Sequence, residues 1–411
     1  MKKSVRHLLA TVLALTPSLM ACAEPAEGGA LSITVLVEAD GSVEDADVGA
    51  LDMGDVGPGP WLQHLQISAV EVRAGRSEWV EVVLPANVLS LSVFARGAPR
   101  VAYAIERLEG PEGQVLVAEN PPGVEIDSFA RQLSAFPGPF LSPNRSASAS
   151  TGLAGLLAPN NPGVAITPGP WRFGIGSMGS LGRLNSEVDI DIFIKRGAPP
   201  TRGILDLHFH FTGAHGWTAE SAPEDADFNQ AVERMGAVYA EIGIQLGGFT
   251  YDDVPGEFRQ VDEGLDRLEP ESSLQRLFAL GSYDTGVNLF FVERIGDFSF
   301  GGSIGGVSGG TPGPSLLPGT SRSGVAVATA LDPAPDRIGH VMGHETGHFL
   351  GLFHTQEFIR EVTDQIEDTA DGFENSDNLM FPTATSAPAH LTDGQAWVLH
   401  RSPVVTPQEA E

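Results

Sequence analysis

The sequence predicts an α+β protein in two parts, an N-terminal β-sandwich followed by a domain with a mixed β-sheet and a functional helix. Three observations lead there. At 411 residues the chain is longer than one small core organises. Residues 31–196 hold repeated short β-type segments between Gly, Pro and Asn turns, with no long helical period. From residue 201 the pattern becomes strand, amphipathic helix, strands and a second helix.

The elements follow in order. Residues 1–21 begin with Lys2, Lys3 and Arg6, continue with the apolar run Leu8 to Leu15 and end at Leu19-Met20-Ala21, the layout of an export signal. The run is too short for a membrane-spanning helix. Residues 22–30 are small and acidic, as a tether would be. Strands are predicted at Leu31–Val37, Leu65–Val72, Trp79–Leu84, Leu89–Ala95, Val101–Ile105, Val115–Val117, Trp171–Ile175 and Val188–Ile194. Ser142–Pro162, rich in Ser, Ala, Asn and Pro, reads as a long loop. Asp189 and Asp191 alternate with apolar residues, which marks a half-exposed strand or, alternatively, a calcium site. Residues 197–200, Gly-Ala-Pro-Pro, form the linker. Beyond it lie a strand at Ile204–Phe211, a helix at Asp227–Ile242, and strands at Ile244–Tyr251, Val287–Val292 and Gly324–Leu331. The Gly-rich run Gly301–Gly313 lacks the lysine and spacing of a phosphate loop and reads as a mobile rim.

The next segment carries chemistry. His344-Glu345-Thr346-Gly347-His348-Phe349-Leu350-Gly351-Leu352-Phe353-His354 reads HExxHxxGxxH without a gap. Histidines four apart on a helix share a face, so His344 and His348 can bind one metal ion. Glu345 is placed to act on a metal-associated water as general base. Gly351 lets the chain leave the helix and bring in His354 as third ligand. Three imidazoles leave one tetrahedral position open, which is the catalytic zinc arrangement. Ile338, Met342, Phe349 and Phe353 fall opposite the ligands and form a packing face. His340, one turn earlier, reads as an outer contact of the site or as a partly solvated histidine.

This motif resembles that of the metzincin metallopeptidases, whose further mark is a methionine turn beneath the metal, matched here by Met380 in Ser376-Asp377-Asn378-Leu379-Met380-Phe381-Pro382. Thr355, Asp364-Gln365-Ile366-Glu367-Asp368-Thr369 and Leu391-Thr392-Asp393-Gly394-Gln395 follow the order found in the pappalysin-like group. The resemblance implies a zinc metalloendopeptidase acting on protein or peptide substrates, with a catalytic domain over residues 201–403 and a tail over 404–411. It also implies that Gly324–Ala328 is the edge strand above the cleft. Many metzincins have a tyrosine two residues after the methionine; Pro382 stands there, so that auxiliary role is unassigned. The alternative is an inactive peptidase-like surface lipoprotein acting as a binding module.

Three further resemblances complete the reading. Leu19-Met20-Ala21-Cys22 is similar to a bacterial lipobox, which implies lipid attachment at Cys22 and anchoring in the envelope. Ala23 is not the aspartate that retains such lipoproteins at the inner membrane, so the outer membrane or cell surface is expected. Pro168–Phe173 and Val188–Ile194 resemble jelly-roll domains that accompany secreted bacterial peptidases. Asp364, Glu367, Asp368 and Asp371 offer the oxygen ligands calcium takes, as pappalysin-like enzymes can use in this region, or form a solvated acidic loop. His208, His210 and His215 are a second histidine cluster with no completing Cys or Glu, and read as structural.

Composition removes other classes. A formal charge of −29 excludes nucleic acid as a partner. The single cysteine leaves no internal disulfide and no thiol to block the metal in a latent form.

Overall fold

The computed structural model describes residues 33–35, 51–52, 59–124, 126, 134, 136–146, 150–262, 272–297, 302–357, 362–369, 375–383 and 389–408. Cys22, the export signal, the tether and Asp371 lie outside them. Residues 32–411 form one compact unit of α+β type with two main sheets.

The first sheet is built on β1 (Leu62–Arg73), β2 (Val80–Leu84), β3 (Val88–Gly97), β4 (Ala102–Glu109), β5 (Leu153–Ala158), β6 (Gly169–Gly179) and β7 (Ser186–Arg196). These strands belong to one continuous hydrogen-bonded network in place of two separate sheets. One face of each strand enters a single core that includes Val72, Val82, Val93, Ile105, Leu156, Trp171 and Ile192, so the sheet folds over on itself. Ala69, at φ 58°, is the extra residue of a bulge opposite Val188–Ile190, and its N–H is accepted by the Asp189 carboxylate at 3.0 Å.

Two expectations change here. Asp189 is half-buried, but Asp191 is 1% exposed and pairs with His64 at 2.9 Å and Arg96 at 2.8 Å; buried charges persist where they are paired, so the half-exposed reading fails at Asp191. Ser142–Pro162 is not a long loop, because β5 runs through it, paired antiparallel with β3. Its asparagines supply the order that periodicity failed to announce. Asn144 Nδ2 donates to Leu157 O at 3.0 Å, Asn161 Nδ2 donates to Pro143 O at 2.8 Å, and Asn144 Oδ1 accepts the Asn160 N–H at 3.0 Å.

The second sheet contains β8 (Gly203–Phe211), β9 (Ile244–Asp253), β10 (Val287–Val292), β11 (Gly306–Ser308) and β12 (Val325–Ala328), in the order β9-β8-β10-β12-β11. The first four are parallel and β11 runs antiparallel, giving the mixed sheet that was expected. Between β8 and β9 runs α1 (Ala226–Glu241), capped by Asp225, whose carboxylate accepts the Phe228 N–H at 2.9 Å. The zinc-motif helix is α2 (Pro335–Leu350), with Pro at its first position and Gly351 at its C-cap. Its packing face includes Ile338, Met342 and Phe349 as expected, while Phe353 is buried just past the helix end. Gly339 permits the close approach of α1, since a Cβ there would sit 2.3 Å from Ala231 O.

The edge strand is not the expected one. β12 is flanked on both sides, and β11, drawn from the Gly-rich run, forms the edge among the described residues. From Gly302 on, that run is therefore sheet and close packing: a Cβ on Gly313 would meet the Phe349 ring at 2.1 Å.

Candidate metal centre

The site starts from the end of α2. Gly351, at φ 116°, occupies backbone space that side-chain-bearing residues avoid, and turns the chain back across the last helical turn. Leu352 N–H then donates to Gly347 O at 2.9 Å, and His354 arrives beside His348. The ligand-type nitrogens of His344, His348 and His354 all lie within 4.8 Å of one another, the one such cluster among the described residues. His348 Nε2 and His354 Nε2 are 3.1 Å apart. A tetrahedral ion with bonds of about 2.0–2.1 Å separates its ligand nitrogens by roughly 3.3 Å, so the spacing fits zinc.

The tautomers fit as well. His344 Nδ1 lies 2.7 Å from Leu379 O, and His348 Nδ1 lies 2.7 Å from Leu352 O. Donation to those carbonyls leaves each Nε2 lone pair facing the cluster. Burial, followed by the neighbouring imidazole His354, depresses His344 to about 3 and holds His348 well below the usual histidine range. Both are neutral near pH 7, as metal ligands must be. His354 Nδ1 is supported differently, by Glu357 Oε2 at 3.2 Å. Burial opposes ionisation of Glu357, yet the hydrogen bond to His354 and the charge of Arg145 outweigh it and bring the carboxyl below its ordinary value.

Glu345 stands between the ligands and the strand edge. Burial pushes its carboxyl up to about 8, countered in part by a hydrogen bond from the backbone N–H of Ser308 on β11. A cation held by the imidazoles would favour its ionised form. Gly306 makes room for it, since a Cβ there would lie 2.6 Å from Glu345 Cγ and 2.7 Å from Val341 Cγ1.

Met380 is fully buried below the cluster, where a Cβ on Gly347 would press on its sulfur at 2.6 Å. The turn is clamped from both sides. Asn378 Oδ1 accepts the Met380 N–H at 2.8 Å, and Met380 O accepts the Thr355 N–H at 3.1 Å. Asn378 Nδ2 donates to Gln395 Oε1 at 2.8 Å, and Gln395 Nε2 donates back to Asn378 Oδ1 at 3.1 Å. Gln395 lies on a short final helix, Asp393–Leu399, where it also closes a capping box with Thr392. The Thr392–Gln395 motif thus locks the methionine turn, a role its spacing alone does not reveal.

The remaining candidates separate from the centre. Among the described members of the acidic group, Asp364, Glu367 and Asp368 form no metal-ligand cluster. Asp364 Oδ1 accepts from Ile366 N–H at 3.1 Å and from Thr369 Oγ1 at 2.7 Å, and burial raises its carboxyl to about 7. Asp368 accepts the Gly394 N–H at 2.8 Å, and Glu367 is exposed. His208 lies 2.7 Å from Thr285 O and stacks on Tyr283, and His210 lies 2.8 Å from Asn288 Oδ1, which makes both structural. His340 is 3% exposed, so the partly solvated reading fails. Sequence reasoning missed Glu357 and Arg145, neither of which stands in the HExxHxxGxxH motif, and named Gln395 only as part of a flanking motif without its clamping role.

No protein-family model matches the chain, and no curated protein matches it. Solved structures that match include metalloproteinase-II from Bacteroides fragilis, at 14% identity and a TM-score of 0.29 over 52% of this chain and 62% of that one. So weak an overall likeness leaves function to the site itself, a three-histidine cluster able to hold a metal ion.

Proposed function

We propose that this chain is a zinc-dependent endopeptidase of metzincin type, closest in its flanking motifs to pappalysin-like enzymes. The observation that carries the reading is the meeting of three convergent imidazoles, one buried carboxylate and a free strand edge at a single place. Zinc bound by His344, His348 and His354 would supply Lewis acidity toward the scissile carbonyl and make water a nucleophile near neutral pH. Glu345 takes the proton of the attacking water and delivers it to the leaving amine. β11 has no strand partner on its outer side among the described residues, and its unpaired backbone groups can pair with an extended peptide. That geometry favours a peptide over a compact ester.

The experiment is hydrolysis of an unstructured protein and of a panel of small esters by the purified protein with zinc. Cleavage of internal peptide bonds, abolished by a chelator and restored by zinc, is expected. Ester hydrolysis without peptide cleavage would overturn the reading. Binding of a protein partner without turnover, unchanged by the chelator, would favour the scaffold alternative.

The enzyme is further proposed to act outside the cytoplasm, held to the envelope through lipid on Cys22, on the strength of residues 1–22. Fatty-acid labelling should then be lost in Cys22→Ser, and a labelled variant would refute the anchor.

A further inference from the structure

We propose that Glu357 and Arg145 are positioning residues of the metal centre, Glu357 orienting the third ligand and Arg145, from the chain between β4 and β5, holding Glu357. The inference rests on the zinc reading above and concerns how the site is held. His344 and His348 hand their outer nitrogens to backbone carbonyls that the helix end and the methionine turn supply. Among the described residues His354 has no such carbonyl. Its Nδ1 faces Glu357 Oε2 at 3.2 Å, so this ligand alone depends on a side chain for its tautomer and ring orientation. It is also the ligand beyond the helix, where backbone geometry constrains it least. A carboxylate behind a ligating imidazole fixes the tautomer and raises the basicity of the metal-facing nitrogen.

Glu357 is in turn aimed by Arg145. Nη2 donates to Glu357 Oε1 at 2.9 Å, and Nη1 donates to Thr363 O at 3.1 Å. The guanidinium is 1% exposed and lies between Phe140 and Phe353, 3.9 Å and 4.4 Å from the two ring centroids. Phe353 directly precedes His354, so the arginine braces the third ligand through both its neighbour and its carboxylate. The rigid base is the asparagine-clipped segment, in which Asn160 Nδ2 donates to Arg145 O. Nearby, Leu157 of β5 lies 2.8 Å from where a Cβ on Gly351 would stand. The metal centre is therefore completed from the N-terminal β structure, and residues 201–403 do not contain it all.

The test is zinc affinity of the full chain, measured by competition with a chromophoric chelator, alongside thermal unfolding of the metal-free protein and the visible spectrum of the Co2+ form. Compared are wild type, Glu357→Ala, Glu357→Gln and Arg145→Met. A loss of about 10–100-fold in affinity is expected for Glu357→Ala, with an altered Co2+ spectrum. Glu357→Gln keeps an acceptor for His354 and is expected to recover part of that loss. Arg145→Met is expected to weaken zinc binding and to add nothing further when combined with Glu357→Ala. Wild-type affinity in both Glu357 variants would overturn the proposal, as would a fall in metal-free stability with affinity intact. Should Glu357→Ala fail to fold, the glutamine variant decides alone, by a weakened or an unchanged affinity. If wild type itself binds no zinc, the underlying reading of the site has failed, and this is seen before any variant is compared.

Discussion

His340 shows how far burial beside two arginines moves a titration. Its ring is buried, neither nitrogen has a hydrogen-bond partner among the described residues, and burial with Arg337 and Arg234 nearby lowers it to about 4. A histidine unfolds to a value near 6.5, so the folded state is the one that resists the proton. Its contribution is complete above pH 6.5 and is lost as pH falls toward 4, by about 2 kcal/mol at pH 5. His340→Leu should therefore lose less stability than wild type between pH 7 and pH 5, read from urea midpoints. Equal slopes in the two proteins would refute this. At this scale the histidine cluster was legible because motif spacing is a geometric statement: His344, His348 and His354 converge as HExxHxxGxxH requires. His340 was misjudged because its spacing suggested a first-turn position, whereas α2 begins at Pro335 and the residue is buried in the second turn.

Among the elements, β11 bears most directly on turnover. It is short, glycine-rich and without period, so no pattern distinguishes it from a loop; β12, which has the apolar run, took its place in the sequence reading. Its role is visible only in the pairing order and in the contact of Ser308 N–H with Glu345. Gly306→Val would place a branched side chain where Glu345 Cγ and Val341 Cγ1 already stand within 2.7 Å. Peptide cleavage should fall at least about tenfold with zinc content unchanged, because the base moves while the ligands, tied to Leu379 O and Leu352 O, do not. Undiminished cleavage would mean that the strand edge has no part in the reaction. The methionine turn was legible as a motif, but its clamp through Asn378 and Gln395 was not, since the two residues are 17 positions apart.

For the molecule as a whole, the core of the second sheet takes in Leu157 from the first, and side chains of the first sheet hold the backbone that follows the final helix. Lys195, near the end of β7, is 1% exposed and donates to His400 O at 2.7 Å, Ser402 O at 2.8 Å and Val405 O at 2.6 Å. Ser90 on β3 donates to Arg401 O at 2.6 Å. Burial holds Lys195 well below the ordinary lysine range, so three carbonyls are what keep it in place. Lys195→Ala should strand all three and cost about 3–5 kcal/mol, measured by denaturant unfolding, with one transition reported by probes in both sheets. A small cost, or two separated transitions, would show that the two parts are held together elsewhere. Pro and Gly at residues 197–200 suggested a linker, yet residues 32–411 form one compact unit, and the contacts that tie its parts join positions some 200 apart and leave no local trace.

The central claim is that Glu345 moves a proton at a three-histidine zinc site. The most direct measurement is cleavage of an unstructured protein by wild type and by Glu345→Ala, with zinc determined in both. The account predicts about one zinc in each and a loss of turnover in the variant of roughly 10³-fold or more. Cleavage by the variant at the wild-type rate, or a wild type that holds zinc and cleaves nothing, would contradict it.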